Sequence, residues 1–252
     1  MQFLFAYPAL PESINMNPIA IVDYGCVNNA AANTVTIMID DSITNPADVD
    51  YALDGGNFQA SSVFTNLVPG FHYVTARHSN GCEQQTINFE IKQVEPLTLV
   101  LNDGGLNEIV AVAAGGGGNY KYTLNGESYS NKSNFIIYKS GNYTVTVTDG
   151  NGCVASATRY FEYIDVCIPN NFTPNGDGIN DVWAPGCTVN YKDLTFEVFD
   201  RYGRKVGNYR LGQYWDGRYN GTELPSGDYW YVLKLNDVKD AREFVGHFTL
   251  YR

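Results

Sequence analysis

Apolar and polar residues alternate along much of this chain with a period of two. Over residues 141–149, Tyr143, Val145 and Val147 fall on one face and Thr144, Thr146 and Thr148 on the other. That is the pattern of a β-strand with one buried face. Strands are likewise predicted over 194–200, 228–235 and 246–252. Between such runs lie clusters of turn formers, such as Asp149, Gly150, Asn151 and Gly152, which accept the backbone angles of tight turns. Short strands separated by turns predict an all-β chain.

Comparison of the chain with itself adds a repeat. The run DYALDGGNF at 50–58 aligns with KYTLNGESY at 121–129, an offset of 71 residues. The same offset places Phe64 on Phe135, Gly70 on Gly141, Val74 on Val145 and Cys82 on Cys153. Several short strands in about 70 residues read as a small immunoglobulin-like sandwich. The expected organisation is an N-terminal segment at 1–17, Ig-like β-sandwich repeats at 18–94 and 95–165, and a compact C-terminal β-sandwich at 166–252. Cys26 and Cys82 bracket most of the first repeat and are expected to pair, worth about 4 kcal/mol in loop-entropy terms. Cys153 is then left over as a half-buried thiol. The G-x-Y-x-V-x-V-x-D-x-N-G-C ending of the second repeat resembles the tandem Ig-like repeats of large bacterial surface adhesins, particularly the SprB-like gliding adhesins of the Bacteroidota. The first repeat departs from it at His72, Arg77 and His78.

After Cys167 the texture changes. Phe172, Thr173, Pro174, Asn175, Gly176, Asp177, Gly178, Asn180, Asp181 and Trp183 form a turn-rich loop between aromatic anchors. Then come Asp200, Arg201 and Gly203 in FDRYG, and Trp215, Asp216, Gly217, Asn220 and Gly221 in WDGRYNG. Gly227 and Tyr229 follow in LPSGDY, and Gly246 and Arg252 lie in the last strand. In this order the motifs resemble the gliding motility-associated C-terminal domain, the type B sorting domain of type IX secretion cargo. The resemblance covers 166–252 and implies a sorting signal read by the outer-membrane translocon and a PorP/SprF-like membrane protein. The passenger is then expected at the cell surface or in the medium. Cys167 and Cys187 flank the signature loop and are expected to form a disulfide worth roughly 3 kcal/mol.

Composition narrows the function classes. With 27 Asp and Glu against 16 Lys and Arg, the chain lacks the positive field that a nucleic-acid or anionic membrane partner needs. Five cysteines without a C-x-x-C lean towards an oxidising compartment. The start carries no positive charge before its apolar residues and is a poor signal peptide. An exported chain is therefore expected to be the C-terminal piece of a longer one. Thr173, Asn175, Asp177 and Asp181 match part of a calcium-loop pattern, yet position 12 is Ala184 where that loop needs Glu. Asx turns are the preferred reading, with no cofactor and no metal. There is no G-x-S-x-G, H-E-x-x-H or P-loop. The run 115–118 is expected to be a flexible link, and His72 and His78 to share one face of one strand. Asp41, Ser42 and Ile43 resemble a Bacteroidota O-glycosylation triplet. The chain is thus expected to be no enzyme but an adhesin stalk, touching a surface polysaccharide or the substratum. The alternative is the tail of a secreted enzyme, such as a polysaccharide hydrolase, whose catalytic domain lies upstream.

Overall fold

The computed structural model describes residues 14–42 and 44–252. Most of the expected N-terminal segment, and Ile43 of the glycosylation triplet, lie outside them. Apart from the 3-10 turn Pro46–Asp48, all the regular structure among the described residues is β. By contact density there are two compact units. The first holds residues 14–42 and 44–100 with 112–131 and 145–157, and the second holds 101–111, 132–144 and 158–252.

The first repeat runs β1 (Ile19–Val27), β2 (Ala30–Met38), β3 (Val49–Leu53), β4 (Val63–Thr65), β5 (Gly70–His72), β6 (Val74–His78), β7 (Glu83–Gln85) and β8 (Phe89–Ile91). Its sheets have the orders β1-β2-β4, β3-β6-β7 and β5-β8. Val35, Ile37, Val49, Tyr51, Val74, Ala76 and Ile91 form the core together with Met16. The second repeat runs β9 (Thr98–Asp103), β10 (Glu108–Ala114), β11 (Lys121–Leu124), β12 (Glu127–Ser130), β13 (Asn134–Ile136), β14 (Gly141–Thr148) and β15 (Val154–Phe161). Its sheets are β13-β10-β9 and β12-β11-β14-β15. Tyr143, Val145 and Val147 are buried in β14 and the alternating threonines are not, as the period of two requires. The pairings Val35 with Phe64 and Ile109 with Phe135 occupy equivalent places.

The C-terminal domain runs β16 (Asn171–Phe172), β17 (Thr195–Phe199), β18 (Lys205–Arg210), β19 (Arg218–Tyr219), β20 (Thr222–Glu223), β21 (Gly227–Lys234) and β22 (Glu243–Leu250). Five of these strands make one sheet, β16-β22-β21-β17-β18. Its core is aromatic. Trp183 stacks on Phe248 at 4.0 Å, and Phe172, Trp215, Tyr229 and Tyr231 crowd round the same ring. Each buried indole N–H has a partner, Trp183 donating to the carbonyl of Pro169 and Trp215 to that of Arg218. Arg242 fastens the preceding segment to this domain. It donates to both oxygens of Asp165 at 2.9 Å and to Asp240 at 2.8 Å, and it reaches the Tyr163 hydroxyl at 3.1 Å. Arg242 holds both carboxyls below the usual carboxylate range.

Three expectations fail. Cys26 bonds to Cys153, 127 residues away with Cα atoms 5.2 Å apart, and Cys82 joins neither disulfide. Two residues beyond Cys82, the Gln84 side chain accepts the N–H groups of Met16 and Asn17, just ahead of β1. The seven steps from Ile19 to Cys26 then span about 23 Å, so Cys26 and Cys82 lie by opposite ends of β1. A disulfide needs Cα atoms within about 7 Å. The run 115–118 is not a loose link. Gly116 N–H donates to the Glu95 carbonyl, Gly117 N–H donates to Asp149, and a Cβ at 115 would collide with the Pro96 carbonyl. Finally, the strand expected to hold both His72 and His78 breaks at Tyr73, and His72 is buried. Its Nδ1 meets Asp54 at 2.7 Å and its Nε2 meets the Val68 carbonyl at 2.8 Å.

Both partners of His72 only accept hydrogen bonds, so the ring satisfies both as the imidazolium. The bonds to Asp54 and Val68 raise the His72 pKa above its ordinary value against the effect of burial. For Asp54, burial pushes the pKa up, but the bonds from His72 and the Tyr73 N–H outweigh it and leave a net lowering. A raised histidine stabilises the fold below its unfolded pKa, and that contribution is lost as pH rises through the folded one. A lowered carboxyl stabilises above its unfolded pKa, and that contribution is lost on acidification. The first repeat is therefore expected to melt lower as pH rises through the His72 pKa and again as it falls through that of Asp54. The double variant His72→Tyr, Asp54→Asn copies Tyr143 and Asn125 of the second repeat and should abolish the alkaline loss. Parallel melting-versus-pH profiles for the two proteins would refute this. For the covalent frame, non-reducing peptide mapping is expected to recover Cys26 with Cys153 and Cys167 with Cys187. Cys153→Ser should cost about 2–5 kcal/mol in denaturant titration. A Cys26–Cys82 peptide would contradict the fold.

Candidate functional site

The signature residues of the C-terminal domain divide into those that shape turns, those that build the core and those that line a cleft. The loop between Phe172 and Trp183 is held by its own side chains. Asp181 accepts the N–H of Gly176 at 2.7 Å and that of Gly178 at 2.8 Å, one on each oxygen. Asn175 accepts the Asp177 N–H at 3.1 Å and donates to the Asp177 carboxylate at 2.9 Å, and Asp177 accepts the Ile179 N–H at 2.7 Å. The bond from Asn175, then that from Ile179, lowers the Asp177 pKa. Thr173 N–H closes the loop onto the Asn180 carbonyl at 2.7 Å. The carboxylates thus act as caps for backbone N–H groups, which is the Asx-turn reading. Phe172 and Trp183 at the loop ends are buried, and Cys167 and Cys187 are joined outside them with Cα atoms 5.4 Å apart.

The later motifs fold round the chain end. Arg252 donates its N–H to Ser226 Oγ at 2.9 Å, its Nε to the Leu224 carbonyl at 3.0 Å and an Nη2 hydrogen to the Gly217 carbonyl at 3.0 Å. Gly217 has a φ of +79°, and a Cβ there would lie 3.0 Å from Arg252 Nη2 and 3.3 Å from the Phe172 ring. Asp216 accepts the Arg218 N–H at 3.0 Å, and Asn220 and Gly221 make the two-residue turn between β19 and β20 with φ of 50° and 80°. Gly246 sits opposite Tyr231, whose hydroxyl would be 2.5 Å from a Cβ at that position.

Asp200, in the turn after β17, and Tyr229, in β21, lie on opposite walls of a cleft of about 250 Å³, one wall formed by Asp200, Arg201, Tyr202 and Arg204 and the other by Leu224 to Trp230. Asp200 accepts the N–H groups of Tyr202 and Arg204 and the Arg204 Nε, each at 3.0 Å. Burial raises its pKa, but the bonds from Arg204 and Tyr202 outweigh it and the net shift is downward. The Tyr229 hydroxyl donates to the Pro225 carbonyl at 2.9 Å. Among the signature residues Arg201 stands apart. Its guanidinium lies 5.6 Å from the Tyr202 ring, with no ion pair among the described residues. The sequence reading did not single out Tyr202, Asp228 and Trp230 as site residues. Trp230 and Asp228 alternate with buried positions of β21, so the period of two reads them as the outer face of a strand.

Residues 166–250 match the family model of the CHU_C type IX secretion signal domain. The match falls on the third of the chain whose motifs carry that resemblance. Such a domain directs its chain through the type IX secretion system and across the outer membrane, to the cell surface or the medium. No helix among the described residues is long and apolar enough to cross a membrane. No curated protein matches the chain. Among solved structures, it is similar to three N-terminal domains of the Highly Immunogenic Outer Capsid protein of bacteriophage RB49. The identity is 13%, over 93% of this chain and 98% of that one, with a TM-score of 0.40. It is also similar to dimeric latent PorU from Porphyromonas gingivalis, at 12% identity over 94% of this chain and 34% of that one, TM-score 0.22. A third is PorZ, a surface component of the type IX secretion system of Porphyromonas gingivalis, at 12% identity over 91% and 39%, TM-score 0.28. Likenesses this distant carry no argument about function.

Because Asp181 and Asp177 already accept backbone N–H groups, the signature loop is expected to keep its shape without a metal. Titration with millimolar calcium should give no saturable heat and no shift of the melting curve. A calcium-dependent rise in melting temperature, lost in Asp181→Asn, would overturn that expectation.

Proposed function

We propose that this chain is the C-terminal part of a cell-surface adhesin of the gliding-adhesin kind. Its last domain is the address, read by the type IX translocon with a PorP/SprF-like outer-membrane protein. Its Ig-like repeats are a stalk or adhesive modules meeting a surface polysaccharide or the substratum. On this reading the segment performs no catalysis, binds no nucleic acid and needs no cofactor.

The observation that carries the adhesin reading is the joint between the repeats. Cys26 and Asn29 sit at the β1–β2 turn. The disulfide ties that turn to Cys153, and Asn29 both donates to the Val154 carbonyl and accepts the Val154 N–H, each at 2.7 Å. A covalent bond beside a two-point amide clasp transmits tension through a repeat array, which is what a stalk under pull needs and a secreted enzyme's tail does not.

A fluorescent protein fused ahead of residues 95–252 is expected to reach the surface or medium of a host with type IX machinery. The same fusion ending at residue 165 should stay in the periplasm. Equal export of the two would sink the sorting assignment. The adhesin reading further expects copies of the 70-residue repeat upstream, each with a Cys-x-x-Asn hairpin. A catalytic domain in that place would favour the enzyme tail instead.

A further inference from the structure

The joint between the repeats has a hairpin that gives and a strand edge that receives. The hairpin runs from Cys26 to Asn29, with Asn28 and Asn29 at φ of 51° and 59°. The receiving edge is Cys153 and Val154, which take the disulfide and both hydrogen bonds of the Asn29 amide. The first repeat carries the same edge at Cys82 and Glu83. In each repeat the cysteine follows an Asn-Gly turn, with Gly81 at a φ of 93° and Gly152 at 88°. Its carbonyl accepts the N–H of the residue four back at 2.9 Å, His78 in one repeat and Asp149 in the other. Its own N–H is held by a turn side chain, that of Asn80 at 3.0 Å or that of Asp149 at 2.8 Å. The strand that follows, β7 or β15, lies at the edge of its sheet. The bonds from His78 to Cys82 and from Thr86 to Val74 leave Arg77 and Glu83 as a pair between bonded pairs. The Glu83 N–H and C=O therefore face away from β6, as those of Val154 face Asn29.

The likeness ends at the disulfide. Cys153 is bonded to Cys26 and 4% exposed, whereas Cys82, the fifth cysteine, is in neither disulfide and half-buried. Repeats in an array meet their neighbours in the same way at each junction. Counted back from Cys82, the 127 residues that separate Cys26 from Cys153 lead ahead of residue 1, into the upstream copy that the adhesin reading expects. We propose that Cys82 and Glu83 receive the Cys-x-x-Asn hairpin of the preceding repeat. Its cysteine bonds to Cys82, and its asparagine amide clasps the Glu83 N–H and C=O. The amide half of the joint recurs downstream as well, where Asn107 clasps Ile164 and Gly104 stands in the place of the cysteine. Closing the disulfide takes two protons and two electrons from two thiols, and a protein disulfide of a periplasmic thiol oxidoreductase accepts them. The hairpin thiolate attacks that disulfide, the Cys82 thiolate resolves the mixed disulfide, and the oxidoreductase leaves as a dithiol. The proposal rests on the adhesin reading and fixes how its repeats are joined.

The test uses the full-length protein harvested from the cell surface, with thiols alkylated before digestion by trypsin without reductant. The peptide 78–92, which holds Cys82, is expected to be recovered joined to an upstream peptide with a Cys-x-x-Asn run. Cys82→Ser should abolish that species and leave the upstream hairpin cysteine alkylated, with Cys26–Cys153 and Cys167–Cys187 still bonded. Loss of Cys26–Cys153 as well would mark a misfolded variant, and the wild-type map then decides alone. Alkylated Cys82 in a protein whose upstream copies carry the hairpin would overturn the joint and leave the adhesin reading standing. Cys82 bonded to a second molecule, or to a peptide without that run, would also overturn it. A catalytic domain directly upstream, with no repeat, would overturn the adhesin reading and the joint with it.

Discussion

One hydrogen bond recurs in both repeats and in the C-terminal segment, and the architecture turns on it. A ring near the start of a core strand reaches back to the carbonyl four residues earlier. Tyr143 donates to Lys139 at 2.8 Å, Tyr229 donates to Pro225 at 2.9 Å, and His72 meets Val68 at 2.8 Å. The bond ties the chain entering the strand to a residue buried in the sandwich, the corner familiar from immunoglobulin folds. With that corner fixed, the alternation that follows decides which face goes inward. Where the ring is tyrosine the corner is neutral. Where it is His72, Asp54 supplies the second acceptor, at a turn whose counterpart in the second repeat carries Asn125. The two changes belong together, since a buried imidazolium without its carboxylate would be costly.

The hairpin turns of the two repeats work by a common device. Asn29 and Asn107 both occupy positive φ, at 59° and 55°, and both use the side-chain amide as a substitute for a strand. Asn29 clasps the N–H and carbonyl of Val154, while Asn107 clasps the carbonyl and N–H of Ile164, each at 2.8 Å. An amide offers a donor and an acceptor at the spacing of a peptide group, so it can close a ladder where no strand is available. Asn190 adds a 2.6 Å bond to the Leu106 carbonyl beside the second clasp.

What could be read in the sequence was local. The alternation in β14, the duplicated turns and the Asn220–Gly221 hairpin depend on residues a few positions apart. So does the closure of the signature loop on Asp177 and Asp181. What could not be read depended on partners distant along the chain. Cys26 had a plausible mate within its own repeat, and only the end of β1 at which each thiol lies shows why the bond goes to Cys153. The glycines at 115–118 looked loose because composition does not reveal that the Glu95 carbonyl and the Asp149 carboxylate press against them. Trp230 was hidden by the very alternation that found β21, because an outward position on a strand carries no sign of what it faces.

The signature is spread over some eighty residues, from Phe172 to Arg252, and most of it is structural. Gly217 leaves room for Arg252, Arg252 pins Leu224 and Ser226, and Pro225 receives Tyr229, which sets one wall of the cleft. Asp200 sets the other wall through the N–H groups of Tyr202 and Arg204. A linear peptide carrying the same motifs would hold none of these groups in place, because each is positioned by a residue from another segment. Arg201 and the open rings of Tyr202 and Trp230 therefore come together only when the sandwich has closed. A chain that fails to close the sandwich presents no such surface.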